Sequence, residues 1–322
     1  DFWSTAVLVQ ELVRCGSICV AVSVLAHAEF APKVIDRAGT DELRDLFVRP
    51  AAAGERIGAL AVTEPDAGSD VGAIRTRAVR DGDDYVINGS KTFITNGSIA
   101  DFVTAAARTG GPGHRGISLV VIPADARGLR RSRRLRKVGC HASDTAELAF
   151  EDCRVPARYL IGAENGGFKL IMQGFEGERL VLALICCQQM RLMWDEARRY
   201  GHERKAFGQP LLGFQVWRHR LADALTTMEA AEALTYRAID LYVRGEPCNR
   251  EISMAKLFAA EACVGVAHDC AQIFGGNRYM EEYAIARLQR DSLAFSVGAG
   301  TSEIMREIIA RLSGLDPREE AR

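Results

Sequence analysis

Two carboxylates sit two residues apart in Phe175-Glu176-Gly177-Glu178-Arg179-Leu180, inside a stretch that reads as helix. On a helix, residues i and i+2 point about 200° apart, so Glu176 and Glu178 face different surroundings. In a dry pocket a carboxylate has a raised pKa and can take a proton near neutral pH; on a helix surface it is merely solvated. A second group is the loop Thr63-Glu64-Pro65-Asp66-Ala67-Gly68-Ser69-Asp70. Its hydroxyls (Thr63, Ser69) and backbone amides can face a ligand at close range, and Gly68 permits close backbone approach. A third is Arg204-Lys205-Ala206-Phe207-Gly208-Gln209-Pro210 with Phe214-Gln215. A guanidinium there can hold phosphate oxygens bidentately. A fourth, Gln272-Ile273-Phe274-Gly275-Gly276, reads either as a helix end with a buried loop or as glycines that let amides approach a ligand.

The elements that must carry these groups are legible in outline. Ile57 to Val62 is an apolar run bounded by turn signals and reads as a buried strand. Pro65 stops its ladder and biases Glu64 to an extended conformation. Tyr85 to Gly97 reads as a strand pair turning at Asn88-Gly89, a strong hairpin signal. Candidate strands cover 57–62, 73–80, 84–88, 91–95, 101–108, 117–122, 131–136 and 146–151, spaced as in a barrel or sandwich. Residues 1–49 read as helix. From Asn165 onward helices cover about 167–200, 215–244, 250–273, 281–295 and 301–312, an antiparallel bundle. The expected fold is mainly α with a central β-domain. N-terminal helices span 1–55, a β-barrel-like middle domain 56–160 and a C-terminal antiparallel helical bundle 161–322. No G-x-G-x-x-G follows a strand, so a Rossmann nucleotide site is not supported.

Composition is that of an ordinary globular chain of 322 residues with a formal charge of −1, giving no global pull towards nucleic acid or membrane. No apolar run is read as long enough to span a bilayer, and the start shows no basic-then-apolar leader. The nine cysteines include no Cys-x-x-Cys pair, and Cys186-Cys187 lie in an apolar helical run. Reduced, mostly buried thiols and a cytoplasmic location are expected. The six histidines lack metal-ligand spacing, so no metal is expected. Thr109 to His114 reads as a mobile loop without a chemical role. Gly128 to Gly139 is basic, with Arg130, Arg131, Arg133, Arg134, Arg136 and Lys137. It reads as a solvated strand edge that resists pairing, or as a surface for phosphates or an acidic carrier protein. Arg318 to Arg322 reads as a frayed charged tail.

Taken together, the segments resemble the acyl-CoA dehydrogenase flavoprotein family. Its middle domain carries a T-E-P-x-A-G-S-D loop and a W/F-I-T-N-G strand, matched here by residues 63–70 and by Phe93-Ile94-Thr95-Asn96-Gly97. The resemblance implies FAD as cofactor. Thr63 and Thr95 would hydrogen-bond the flavin, Phe93 would pack on its rings, and Ser69 would lie beside the substrate's thioester arm. Arg204, Phe207 and Gln215 match a segment that reaches the flavin of a neighbouring subunit, and Gln272, Gly275 and Gly276 match its partner. Ser296 to Ile304 resembles the family's Y-E-G-T-S-Q/E-I turn, with Thr301 and Glu303 at flavin-contacting positions. Lys137 to Thr145 resembles K-x-G-x-R-x-S-D-T, with Cys140 and His141 replacing the bulky residue and the arginine; His141 reads as a surface turn residue.

Many members carry their catalytic glutamate where this sequence has Ala299. A methyl group cannot take a proton, but the Ala299 amide could still donate to a thioester oxygen. Glu178-Arg179-Leu180 resembles the long-chain and isovaleryl members, which place their base on this helix, and Glu178 matches that base. Glu176 and Arg179 would contact the coenzyme A arm. The small residues Gly298 and Ala299 imply a pocket for a branched or long acyl chain. The implied reaction removes an α-proton and passes a β-hydride to flavin N5, giving a 2,3-enoyl thioester of coenzyme A or acyl-carrier protein. The acceptor would be an electron-transfer flavoprotein and the assembly a dimer of dimers, a homotetramer. The alternative is a flavin-dependent oxidase or monooxygenase on the same fold. Members of the family carry more helix before the position of Asp1, so the sequence reads as lacking the first helices.

Overall fold

The computed structural model describes residues 1–316, the side chain of Arg133 excepted, so the charged tail lies outside the described residues. Helical turns fill residues 2–52: α1 (Phe2–Arg14), α2 (Ile18–Leu25), a π-turn at Ala26–Phe30, α3 (Ala31–Ala38), α4 (Asp41–Leu43), a π-turn at Arg44–Val48 and α5 (Arg49–Ala52). The first π-turn joins its neighbours into one helical stretch, Ile18–Ala38, which is long and apolar enough to cross a membrane by length and composition alone. This corrects the expectation that no run reaches that length. The same features describe a core helix, and Ala31, Val34 and Ile35 are buried in a core with Phe102, Leu119 and Val121.

The β-domain contains β1 (Gly58–Ala61), β2 (Arg77–Asp81), β3 (Asp84–Thr95), β4 (Phe102–Arg108), β5 (Ile117–Pro123), β6 (Leu129–Arg134), β7 (Thr145–Pro156) and β8 (Leu160–Ile161). They form one eight-stranded sheet in the order β6-β7-β3-β2-β4-β5-β8, with β1 added parallel to β4. Strand β4 is buried on both faces. Phe102 and Ala106 face the helix-side core, while Val103, Ala105 and Ala107 pack with Tyr85, Ile87, Ile122 and Phe150. A strand with two apolar faces reads as an unbroken run of small and branched residues, which is why residues 102–107 show no alternation.

The hairpin expected at Asn88-Gly89 is absent. Strand β3 runs through it, and the β2–β3 turn falls at Gly82-Asp83, between the paired residues Asp81 and Asp84. Gly82 adopts φ +62, as a tight two-residue turn requires. Gly89 marks a bulge instead, where the β3–β7 register shifts between Ile87 and Gly89. A Cβ on Gly89 would meet the Thr76 Cα at 2.6 Å, and its φ is +147. Asn88 staples the bulge: its Nδ2 donates to Asp152 Oδ1 at 3.1 Å, and its Oδ1 accepts the Asp152 N–H at 2.9 Å. Gly89→Ala is therefore expected to cost about 1–3 kcal/mol of stability, read as a lower denaturant midpoint. An unchanged midpoint would show that the bulge accepts a side chain.

The strand expected over 73–80 also starts late. Val71–Ala73 is a 3₁₀ turn, and the N–H groups of Arg75 and Thr76 go to the Glu64 carboxylate at 2.6 and 3.0 Å rather than to a neighbouring strand.

The helical part comprises α6 (Gly167–Glu203), the hairpin β9 (Lys205–Ala206) and β10 (Gln209–Pro210), α7 (Gln215–Val243), α8 (Asn249–Gln272), α9 (Ala284–Ser292) and α10 (Ser302–Leu312). α8 packs on α7, α9 and α10. Its buried stripe is mostly small: Ala255, Ala259, Ala260, Cys263, Ala267 and Ala271. Polar ties bind α6 to α7, where Arg191 meets Glu232 at 2.8 Å and the Trp194 indole donates to Leu221 O at 2.9 Å. All nine cysteines are free thiols, and all but Cys15 are buried.

By contacts the chain divides into two compact units. One holds residues 22–137 and 141–177; the other holds 1–21, 138–140 and the chain from 178 onward. Helices α3 to α5 share a core with the strands and the first turns of α6, through residues such as Phe47, Ala51, Phe102 and Ile171.

Candidate active site

In the β-domain unit the Thr63–Asp70 loop is held from beneath by a buried ion pair. Lys91, on β3, is fully buried, and its Nζ donates to Glu64 Oε1 at 2.8 Å and to Val62 O at 2.9 Å. Burial alone would raise the Glu64 carboxyl. The Lys91 charge, with hydrogen bonds from Lys91, Thr76 and Arg75, holds it below its ordinary value. Burial pushes the Lys91 ammonium down to about 8. The Thr63 carbonyl accepts the Thr92 N–H at 3.0 Å, which ties the loop to the strand carrying Phe93 and Thr95.

Phe93 lies in a second register shift of β3, between Lys91 and Ile94. Its φ is +60 and its ring is 69% exposed, whereas Thr92 and Ile94 on either side are buried. An exposed aromatic ring on left-handed backbone is uncommon, and strain of this kind collects at binding sites. Ser69 lines an open cleft of about 530 Å³ with Asp70, Gly72, Gly113, His114, Phe168 and Met172. The loop 109–114, expected to lack a chemical role, thus supplies part of the cleft wall. The Arg108 guanidinium gathers the carbonyls of Gly72, Ile74, Gly111 and Gly113 at 2.6–3.0 Å, and the His114 ring lies 5.3 Å from that of Phe168. Of the basic run, Arg131 donates to Ser98 O, Lys137 to Ser143 O, and Arg130 pairs with Glu151. Those three are engaged within the β-domain, which favours the strand-edge reading for them.

The helical unit carries the rest. Glu178 is 8% exposed. Among the described residues nothing donates a hydrogen bond to its carboxylate. Burial drives its pKa up to about 8, opposed in part by the neighbouring Arg179. Glu176 is half-buried and belongs to the other unit. Arg179, expected on the coenzyme A arm, turns inward: it is 5% exposed, with Nε 3.4 Å from Ala299 O and Nη1 3.4 Å from Asn249 Oδ1. Ala299 itself adopts φ +50. Thr301 caps α10 by accepting the Ile304 N–H at 3.3 Å. Hydrogen bonds, first to its own N–H and then to the Thr301 hydroxyl, hold the Glu303 carboxyl low.

Arg204, Phe207 and Gln215 are all exposed, and Phe207, 96% exposed, forms the tip of the β9–β10 hairpin. Gln272 accepts a hydrogen bond from Arg278. Gly275 and Gly276 have open space where a side chain would stand, and Gly275 has φ +58.

These observations fit FAD. Arg204 makes no ion pair among the described residues and offers a free guanidinium to a pyrophosphate. Phe93 and Phe207 present uncovered aromatic surface, and the glycine pair lets a ligand approach the backbone. His141 is an exposed turn residue whose Nε2 lies 2.9 Å from Lys137 O. Cys19, Cys140 and Asp291 bring three possible metal-ligating atoms within 4.8 Å of one another. Asp291 is already engaged there, accepting the Cys140 N–H at 2.6 Å and facing the Cys19 thiol at 3.5 Å, so the group anchors the 138–140 turn.

Sequence reasoning passed over Lys91 and Lys256. Each carried a signal: Lys91 sits among β-formers in a strand, and Lys256 falls in the apolar stripe Ile252-Ala255-Ala259-Cys263 of α8. A lysine at an inward position is buried for a reason.

Fold and donor set define a flavoprotein built of helices, a β-domain and a helical bundle. Residues 59–153 match the acyl-CoA dehydrogenase middle-domain family, and residues 165–313 match the acyl-CoA dehydrogenase C-terminal-domain family. The chain is 39% identical to the mitochondrial long-chain specific acyl-CoA dehydrogenase of Sus scrofa, over 97% of this chain and 73% of that protein. A crystal structure of a probable acyl-CoA dehydrogenase from Mycobacterium abscessus superposes with a TM-score of 0.94 at 47% identity, covering 96% of this chain and 82% of that one. Butyryl-CoA dehydrogenase from Megasphaera elsdenii superposes equally well, TM-score 0.94, at 33% identity over 97% and 82% of the two chains. The chain belongs to the acyl-CoA dehydrogenase family, and its cofactor is FAD.

Proposed function

We infer that the chain is an FAD-dependent acyl-CoA dehydrogenase in which Glu178 removes the α-proton of an acyl thioester. The observation that carries the assignment of the base is a buried carboxyl without a hydrogen-bond donor among the described residues, raised to about 8, at the residue that matches the family's base on this helix. Bound FAD supplies the acceptor for the β-hydride at flavin N5. The protein does the remaining work. The Glu178 carboxylate holds the abstracted proton on an oxygen, and the Ala299 N–H donates to the thioester oxygen as charge develops there. Thr63, Thr95, Phe93, Arg204, Phe207, Gln215, Gln272, Gly275, Gly276, Thr301 and Glu303 would hold the cofactor. Ser69 and its cleft would hold the thioester arm, with Glu176 near it. A buried carboxylate kept in place of the missing one at Ala299 favours this reading over an oxidase or monooxygenase.

The same reading extends to a dimer of dimers in the cytoplasm, passing electrons to an electron-transfer flavoprotein. The exposed ring of Phe207 and the 87% exposed Tyr279 suit burial against a second copy, and nine free thiols suit a reducing compartment. The test of function is anaerobic mixing of the FAD-loaded protein with acyl-CoA thioesters while flavin absorbance is followed. Bleaching is expected, and no bleaching by any thioester would refute the assignment. Because Gly298 and Ala299 are small where the family often carries larger residues, rates are expected to favour branched or long acyl chains. A profile that peaks sharply at a straight four-carbon chain would refute that specificity.

A further inference from the structure

Lys256 is 1% exposed, on the buried face of α8. A lysine normally carries its ammonium to water, and burying it costs several kcal/mol unless partners compensate. Among the described residues no carboxylate lies within ion-pair distance of it. Its Nζ instead donates to the Gly300 carbonyl at 2.5 Å. A second buried cation approaches the same turn, since Arg179 Nε lies 3.4 Å from the carbonyl of Ala299. Burial, and to a lesser degree the Arg179 charge, push the Lys256 ammonium down to about 8. Two cations therefore converge on successive carbonyls of one turn against their mutual repulsion.

The turn itself needs holding. Ala299 has φ +50 and Gly300 φ +98, so two consecutive residues are left-handed. A residue with a Cβ adopts that conformation only at a steric cost. At φ +98 Gly300 holds a backbone conformation that residues with a side chain rarely adopt, and a Cβ there would also have to displace Met305 Cε, 2.9 Å away. With both carbonyls drawn inward, the planes of the two peptides that follow Ala299 are fixed, because each peptide unit is rigid. Ala299 could then return to a right-handed conformation only by swinging its own N–H away.

We propose that Lys256 is a positioning residue: with Arg179 it grips the Ala299 and Gly300 carbonyls and so fixes the direction of the Ala299 N–H, the donor to the substrate's thioester oxygen. The proposal rests on the dehydrogenase reading above and deepens it. Lys256 touches neither the reacting atoms nor the substrate.

The test uses the FAD-loaded protein and an amino-substituted cinnamoyl-CoA, a chromophore whose absorption moves to the red as its carbonyl oxygen accepts hydrogen bonds. The wild-type protein is expected to red-shift the bound probe. Lys256→Met is expected to keep its FAD and bind the probe, yet lose most of that shift. Its kcat should fall about 10²-fold with KM changed less than about threefold, the pattern of a lost oxyanion donor. Lys256→Arg, which can still reach the carbonyl, should restore part of both. A Lys256→Met protein with an unaltered probe shift and near-normal kcat overturns the proposal, whatever its melting temperature. If Met prevents folding, Lys256→Gln takes its place: lost shift that Arg restores supports the proposal, and an unaltered shift overturns it. A wild-type protein that is bleached by acyl-CoA but does not shift the probe overturns the proposal alone. A wild-type protein that is bleached by no thioester overturns the dehydrogenase reading beneath it.

Discussion

Glu178→Gln is expected to lower the rate of flavin bleaching by acyl-CoA by about 10²–10⁴-fold, the range a positioned general base contributes, while FAD and substrate still bind. Glutamine keeps the shape and polarity of the side chain and removes the proton acceptor. The pH profile provides the second arm. Burial holds the Glu178 carboxyl neutral up to about pH 8, and a base must be ionised to act. Wild-type kcat/KM is therefore expected to climb with pH and level off above about 8. A stability measurement separates base from bystander. The folded pKa lies above the ordinary carboxylate value of 4.5, so Glu178 favours the fold most below about pH 4.5, and that contribution is lost as pH rises through about 8. Relative to wild type, Glu178→Gln should gain stability progressively over that window and not below it. Near-normal bleaching by Glu178→Gln would leave Glu178 a structural residue and send the search for the base elsewhere.

Lys91→Met is expected to cost about 3–5 kcal/mol of stability, the usual loss when one partner of a buried ion pair is removed. Glu64 would then be a buried carboxylate facing two backbone N–H groups with no counterion. Because Glu64 anchors the start of the Thr63–Asp70 loop, the variant should also lose FAD on dilution. Denaturant unfolding and the flavin left after gel filtration read the two effects. Restoring neutrality with Lys91→Met/Glu64→Gln should recover part of the stability, since glutamine can still accept one of the backbone donors at Arg75 and Thr76. The wild-type pair depends on pH in a defined direction. Glu64 has a lowered pKa, so its contribution is present above the ordinary carboxylate range and lost as pH falls below it. A Lys91→Met protein as stable as wild type, with FAD retained, would show that the pair merely fills space.

Much of this was readable from order and type of residue. The switch from short β-forming runs to long helical periods at Asn165 placed the boundary between strands and bundle, because each period is a local property. Thr63, Ser69, Phe93, Glu178 and Ala299 are candidates by motif alone. The misreadings were non-local. Asn88-Gly89 is a hairpin signal wherever the flanking strands can pair with each other; here β3 pairs along its length with β7, and Gly89 is required by Thr76, thirteen places earlier. No apolar run reads as long enough to span a bilayer, yet a π-turn carries the helix of Ile18–Ala38 through His27 and Glu29.

The sequence by itself determined the fold class and the cofactor, since these depend on local propensity and on motifs whose residues lie close together. Only the tertiary structure decided which charges are buried and what they hold. That Lys91 supports Glu64, that Arg179 reaches Ala299, and that Lys256 reaches Gly300 are pairings between residues 27 to 120 places apart. A charge is forced to such a partner by desolvation, and desolvation exists only once the chain has packed around it.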